Sequence, residues 1–276
     1  MNLPSQNVVV RAVAVIALAV TATGAAAGKV ADRPHRTGAA AEPVGLSPAV
    51  ESATGVGCGS TRSCTPSYGG ALMFTTRNSC TAGLPVRDRR SGRWYVLTAG
   101  HCVAEAAGRT WRQSGLTLGR GTRWEYGALG TDGRASGSDV GLIRITANSA
   151  TWRARSRVIV VTRAGARPQP IRAVRAARAG DRVCVTGGRS GTTRCGTVVA
   201  ASTWLRYASP GLAARTVSNL ALVSGICVLP GDSGSPVFAG SAVLGIAVAR
   251  SNSGCYMWYS RIAAPLRHYG LQVVAG

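Results

Sequence analysis

Apolar residues in this chain fall in short runs, not at helical spacing. β-branched and aromatic side chains gather over Arg93–Thr98, Asp139–Ile145, Arg157–Thr162, Arg182–Thr186, Gly196–Ala200, Thr216–Val223, Ser235–Phe238 and Ala242–Val248. Clusters of Gly, Ser, Asn and Asp separate them. Runs this short, bounded by turn-forming residues, predict strands, and many in series predict an all-β barrel or sandwich. One helix is expected, over Ile262–Tyr269, with Ala263 and Leu266 facing the core. No internal repeat is visible.

The N-terminus follows a different pattern. Arg11 precedes an uncharged stretch, Ala12–Gly28, with an apolar centre over Ala12–Val20 and small residues at Ala25, Ala26 and Ala27. That order predicts a cleaved secretory signal over residues 1–27 and a secreted, extracellular protein. The stretch falls short of the roughly 20 strongly apolar residues a membrane helix needs. No other segment is a candidate, so no membrane span is expected after signal cleavage. Residues 28–65 are rich in Ala, Gly and Pro and do not alternate. They read as a linker or short pro-segment ahead of a body at 66–276.

Composition narrows the class. Of 276 residues, 46% are hydrophobic and 15% charged, which excludes a disordered chain. The net charge is +22, and the only Lys is Lys29; every other basic residue is Arg. Arg is spread along the chain with no run of five, the signature of a coding bias more than of a nucleic-acid grip. No specific nucleic-acid partner is expected, only weak attraction to polyanions. The eight cysteines, Cys58, Cys64, Cys80, Cys102, Cys184, Cys195, Cys227 and Cys255, are an even count suited to disulfides in an exported chain, with 105 pairings open. No C-x-x-C pair occurs and only three His are present, so neither a metal nor another cofactor is expected.

Two stretches carry chemistry. Leu97-Thr98-Ala99-Gly100-His101-Cys102 ends a strand, and Pro230-Gly231-Asp232-Ser233-Gly234-Ser235-Pro236 is a turn entering one. A Ser hydroxyl is a weak nucleophile until a base removes its proton. His is the natural base, with an ordinary pKa near 6.5. Gly two residues before Ser233 allows a sharp turn, so that the amides of Gly231 and Ser233 can converge as an oxyanion hole. The base needs a carboxylate to fix its tautomer. Asp139, at the head of an apolar run, is the best candidate. Asp232 adjoins the Ser and would more plausibly hold the loop, while Asp88 and Asp132 sit in polar turns. His35 and His268 are expected to be solvated, and the six Trp to serve packing.

Thr98-Ala-Gly-His-Cys102, Asp139-Val-Gly-Leu-Ile143 and Gly231-Asp-Ser-Gly-Ser-Pro236 occur in the order His, Asp, Ser. This resembles the chymotrypsin-like serine proteases, above all the secreted bacterial branch of streptogrisins and α-lytic-type enzymes, over residues 66–276. The resemblance implies two six-stranded antiparallel β-barrels, at about 66–155 and 156–276, with a short C-terminal helix. It implies His101, Asp139 and Ser233 as catalytic residues, a polypeptide substrate, a monomer and no cofactor. It also implies disulfides Cys184–Cys195, Cys227–Cys255 and Cys80–Cys102, which leaves Cys58 with Cys64.

The sequence departs from the family in places. Ser235 stands where Gly is common. The specificity pocket should use Gly225 and Ile226 as floor, Val248 and Arg250 as one wall and Met257 as another. Without an Asp at the floor, and with Met257 narrowing the slot, small or medium apolar residues are expected on the acyl side. A Ser that relatives use to support the buried Asp is missing near Val248, unless Ser251 fills the place. No sequence for an activating Ile N-terminus is found, so an internal Arg is expected to pair with Asp232. The competing reading is a catalytically weak protein whose Arg-rich surface binds anionic polymers or cell wall; an esterase is a further alternative.

Overall fold

A computed structural model describes residues 57–65, 68–130, 137–146 and 155–275. The predicted signal, most of the linker, and Asp132 lie outside these residues. Within the 28–65 segment, Gly57–Cys58 and Cys64–Thr65 pair as a small hairpin closed by the Cys58–Cys64 disulfide. It is fastened to the body: Leu72 N–H donates to Thr61 O at 2.8 Å, and Gln113 Nε2 donates to Cys64 O at 2.8 Å.

The predicted strands form where the β-branched runs lie. Trp94–Thr98, Asp139–Ile145, Arg157–Thr162 and Arg182–Thr186 match within a residue, and Thr193–Tyr207, Arg215–Ser224, Pro236–Ala239 and Ala242–Arg250 contain or closely follow the others. The C-terminal helix spans Ala263–His268 and buries Leu266. A second helix, Gly100–Glu105, was not expected from the sequence. It has only six residues and no side-chain N-cap, so it carries none of the usual start signals.

The expected pair of closed six-stranded barrels is corrected. Nine strands form one open, curled sheet in the order Leu271–Gln272, Leu84–Asp88, Trp94–Thr98, Asp139–Ile145, Leu116–Tyr126, Thr110–Gln113, Leu72–Phe74 and Ser79–Thr81, with Leu129–Gly130 appended to Leu116–Tyr126. It stays open for a concrete reason. Leu84–Asp88 has Trp94–Thr98 on one edge and the C-terminal Leu271–Gln272 on the other. At the opposite end, the amide of Thr81 donates to Ser233 O at 2.8 Å instead of extending the sheet. The second large sheet has seven strands, one of them the parallel edge strand Ala173–Val174, and Ala242–Arg250 pairs with both Pro236–Ala239 and Tyr256–Arg261. Arg157–Thr162 and Gly165–Pro170 form a separate two-stranded ribbon.

Two buried clusters fill the interior. One includes Met73, Leu84, Leu97, Trp111, Leu118, Leu142 and Ile143. The other includes Val183, Val223, Ile226, Val237, Met257 and Tyr259. Disulfide Cys80–Cys102 ties the strand Ser79–Thr81 to the Gly100–Glu105 helix, Cys184–Cys195 joins two paired strands, and Cys227–Cys255 joins two connecting segments.

The short helix is seated by two glycines. A Cβ at Gly121 would lie 2.4 Å from Val103 Cγ1, and one at Gly141 would lie 2.6 Å from Val103 Cγ2 and 2.8 Å from Ala99 O. These strands leave a groove into which Val103 packs, so the helix lies close against the sheet. Gly141→Ala is therefore expected to overpack the seat and lower Tm by roughly 4–8 °C. Thermal unfolding of Gly141→Ala, Val103→Ala and the double variant checks this. The double variant should lose less stability than the two single losses added together, because one clash partner is gone.

Candidate active site

Strand pairing brings His101 and Asp139 together. Gly141 lies opposite Thr98 in the register of Asp139–Ile145 against Trp94–Thr98. The chain leaves Thr98, turns at Ala99 and enters the Gly100–Glu105 helix, so His101 arrives beside Asp139 at the start of the neighbouring strand. His101 Nδ1 is 2.5 Å from Asp139 Oδ2, and the His101 backbone N–H donates to Asp139 Oδ1 at 2.8 Å. The carboxylate thus orients the imidazole and satisfies an N–H that the first helical turn leaves without an intrahelical partner.

Both groups are buried, His101 being 5% exposed and Asp139 0%. Burial works against an imidazolium, but the charge and hydrogen bond of Asp139, with Glu105 behind them, outweigh it and raise the His101 pKa above its ordinary value.

Ser233 sits in the turn before Pro236–Ala239, partly exposed. It lines one cleft with His101, in company with Asn78, Cys80, Glu105, Arg189, Ser209 and Gly231. Hydrogen bonds from both large sheets fix the turn. Thr81 N–H holds Ser233 O; Gly234 N–H donates to Ala247 O at 2.7 Å; Thr81 Oγ1 donates to Gly231 O at 2.9 Å. Gly231 and Gly234 have φ of +95° and +89°, which L side chains rarely adopt. These conformations turn the backbone about Ser233, where the Gly231 and Ser233 amides are expected to form the anion hole.

Among the described residues, Asp232 does not take the arginine side-chain partner expected for it. Its buried carboxylate accepts backbone N–H groups instead: Oδ1 from Arg189 and Ser190, both at 3.0 Å, and Oδ2 from Leu229 at 2.9 Å. The hairpin closed by Cys184–Cys195 supplies the first two, so the turn carrying Ser233 is braced by that hairpin's backbone.

A second, smaller cavity of about 100 Å³ opens beside Ser233, lined by Val228, Leu229, Pro230, Ala247, Val248, Ala249 and Arg250. Val248 and Arg250 are among its lining residues. Gly225, Ile226 and Met257 are not among its lining, and Ile226 and Met257 are wholly buried in the second core cluster. The cavity is bounded instead by Val228 and Leu229, which the sequence reading did not single out.

It also missed Tyr207. Its hydroxyl donates to Asp139 Oδ2 across 68 residues of chain. Tyr126 Oη in turn donates to the Tyr207 carbonyl at 2.5 Å. The rings of His101, Tyr126 and Tyr207 meet edge to face, with centroids 5.5–6.3 Å apart. Ser260 Oγ accepts the Asp139 backbone N–H at 2.9 Å. No local motif marks Tyr207; only the fold of the Thr193–Tyr207 strand brings it here.

Comparisons with known proteins agree with this geometry. Serine protease 2 of Streptomyces fradiae is 34% identical over 178 residues, which is 64% of this chain and 90% of that one. Among solved structures, Thermobifida fusca Protease A aligns with a TM-score of 0.59 and 26% identity, over 76% of this chain and all of its own. A glutamic acid-specific serine protease that uses a histidine triad in substrate binding aligns with the same TM-score and identity, over 75% of this chain and all of its own. The trypsin family model matches residues 60–266. With a buried His–Asp pair on that shared scaffold, the chain belongs to the trypsin family, related to its bacterial chymotrypsin-like and α-lytic branch, and is a serine-type endopeptidase.

Proposed function

We propose that Ser233, His101 and Asp139 act as one triad that cleaves polypeptides through an acyl-enzyme, outside the cell. The observation that carries the reading is the 2.5 Å His101–Asp139 contact in the same cleft as Ser233. Ser233 Oγ attacks the peptide carbonyl as His101 Nε2 takes its proton. The amides of Gly231 and Ser233 receive the charge that develops on the carbonyl oxygen. The tetrahedral species collapses as His101 passes its proton to the departing amine. Water then attacks the acyl group by the same route and frees Ser233. Asp139 keeps the Nδ1–H tautomer and stabilises the imidazolium. Four disulfides support an oxidising, extracellular setting.

The cavity wall of Val228, Leu229, Ala247, Val248 and Ala249 supports small or medium apolar residues on the acyl side. Arg250 favours a second reading. It lines the same cavity, and no hydrogen bond or ion pair engages its side chain among the described residues, so an acidic substrate side chain would find a partner there. The related glutamic acid-specific enzyme makes that comparison pertinent.

Ser233→Ala is expected to lower kcat by about 10⁶-fold in a peptide-amide assay and to abolish fluorophosphonate labelling. An unlabelled protein that binds polyanions, with Ser233→Ala unchanged, would favour the polymer-binding alternative. The kcat/KM profile should rise with pH on an acid limb above the ordinary histidine range, because His101 must be neutral to accept a proton and its pKa is raised. Cleavage-site profiling of a peptide library should show Ala, Val or Leu before the cut. Dominant cleavage after Glu or Asp, lost in Arg250→Ala, would install the second reading.

A further inference from the structure

We propose that Tyr207 is a positioning residue for this reaction, its hydroxyl holding the Asp139 carboxylate in place against His101. The inference rests on the triad reading above and adds to it a member from the far end of a different sheet.

The argument is an inventory of donors. An ionised carboxylate has about four lone-pair directions to satisfy, and burial makes each unmet one costly. Asp139 Oδ1 accepts the His101 backbone N–H, and Oδ2 accepts the imidazole Nδ1–H. Those donors belong to the residue being positioned, so alone they would let helix and carboxylate shift together. An independent anchor has to come from elsewhere.

The places where such an anchor was expected do not provide it. Ala247 and Val248 carry no hydroxyl. The Ser251 hydroxyl donates to Ser253 O at 2.6 Å and accepts Ser253 N–H at 3.1 Å, within its own turn. Ser260 Oγ meets the backbone N–H of Asp139, not its carboxylate. Tyr207 Oη is the side-chain hydroxyl that reaches Oδ2.

Tyr207 is itself well held. It ends the Thr193–Tyr207 strand, its carbonyl is tied to Tyr126, and its ring stands edge-on to His101 with centroids 6.3 Å apart. Burial, then the Asp139 charge, pushes the phenol well above its ordinary pKa, so it stays a hydrogen-bond donor through the working range. Two donors converge on Oδ2: one turns the imidazole, the other fixes the carboxylate and disperses its charge.

Removing only the hydroxyl separates these roles. Tyr207→Phe keeps the ring and its packing, but leaves Oδ2 more negative and less fixed. The imidazolium is then favoured, so the acid limb of kcat/KM should move up by about half a pH unit. Loss of orientation should lower kcat about tenfold with KM within about twofold, since the residue touches no substrate. A purely structural tyrosine would lower Tm without moving the limb. An acid limb unchanged within about 0.2 pH unit, with kcat within about twofold of the parent, overturns the proposal. Should Tyr207→Phe fail to fold, the low-field proton NMR spectrum of the unaltered protein decides. A deshielded hydroxyl proton correlating with the Tyr207 ring, distinct from His101 Nδ1–H, is expected; its absence overturns the inference. Full activity of Ser233→Ala would instead remove the triad reading itself.

Discussion

A carboxylate with no exposure to water, Asp139, is the constraint around which the site is built. Burying a charge is costly unless it is hydrogen-bonded on most sides. Each donor that meets this demand recruits a different part of the chain. The His101 amide requires a helix to start where it does; His101 Nδ1–H requires the imidazole to turn inward; Tyr207 Oη requires the long Thr193–Tyr207 strand to reach across. The same contacts that make the buried charge tolerable hold the imidazole by its inner nitrogen.

Ser233 is held by a complementary device. Ser233 belongs to the second large sheet's approach loop, yet its carbonyl is held by the Thr81 amide at the end of the first sheet. Thr81 Oγ1 adds a bond to Gly231 O and accepts the Gly188 N–H at 3.0 Å. One short strand, Ser79–Thr81, thus connects the turn of Ser233, the hairpin closed by Cys184–Cys195 and, through the Cys80–Cys102 disulfide, the helix of His101. The edge that would have closed a barrel instead aligns the two halves of the active site.

Much of this was legible in the residue order because it rests on local chemistry. β-branched runs such as Arg157–Thr162 and Arg182–Thr186 became strands since their side chains suit a pleated, half-buried surface. Three motifs in order marked His101, Asp139 and Ser233 as the candidate catalytic side chains. Other features left no local trace. The Gly100–Glu105 helix is one turn and a half long, has no capping side chain and is held by Asp139 from another strand. The brace on Asp232 comes from backbone amides, which every residue carries and no motif announces. Met257, read as a pocket wall by alignment, went into the core because its register opposite Val223 faces it inward.

The sequence by itself determined the strand-rich class, the candidate reactive groups and the cysteines available to staple them. Those properties follow from side-chain type and nearest-neighbour spacing. Tertiary structure decided which edges pair, that the first sheet stays open, which residues line the cavity beside Ser233, and that a tyrosine supports Asp139. Those outcomes depend on hydrogen-bond partners and packing surfaces far apart in the chain, whose meeting is set only once the whole backbone has folded.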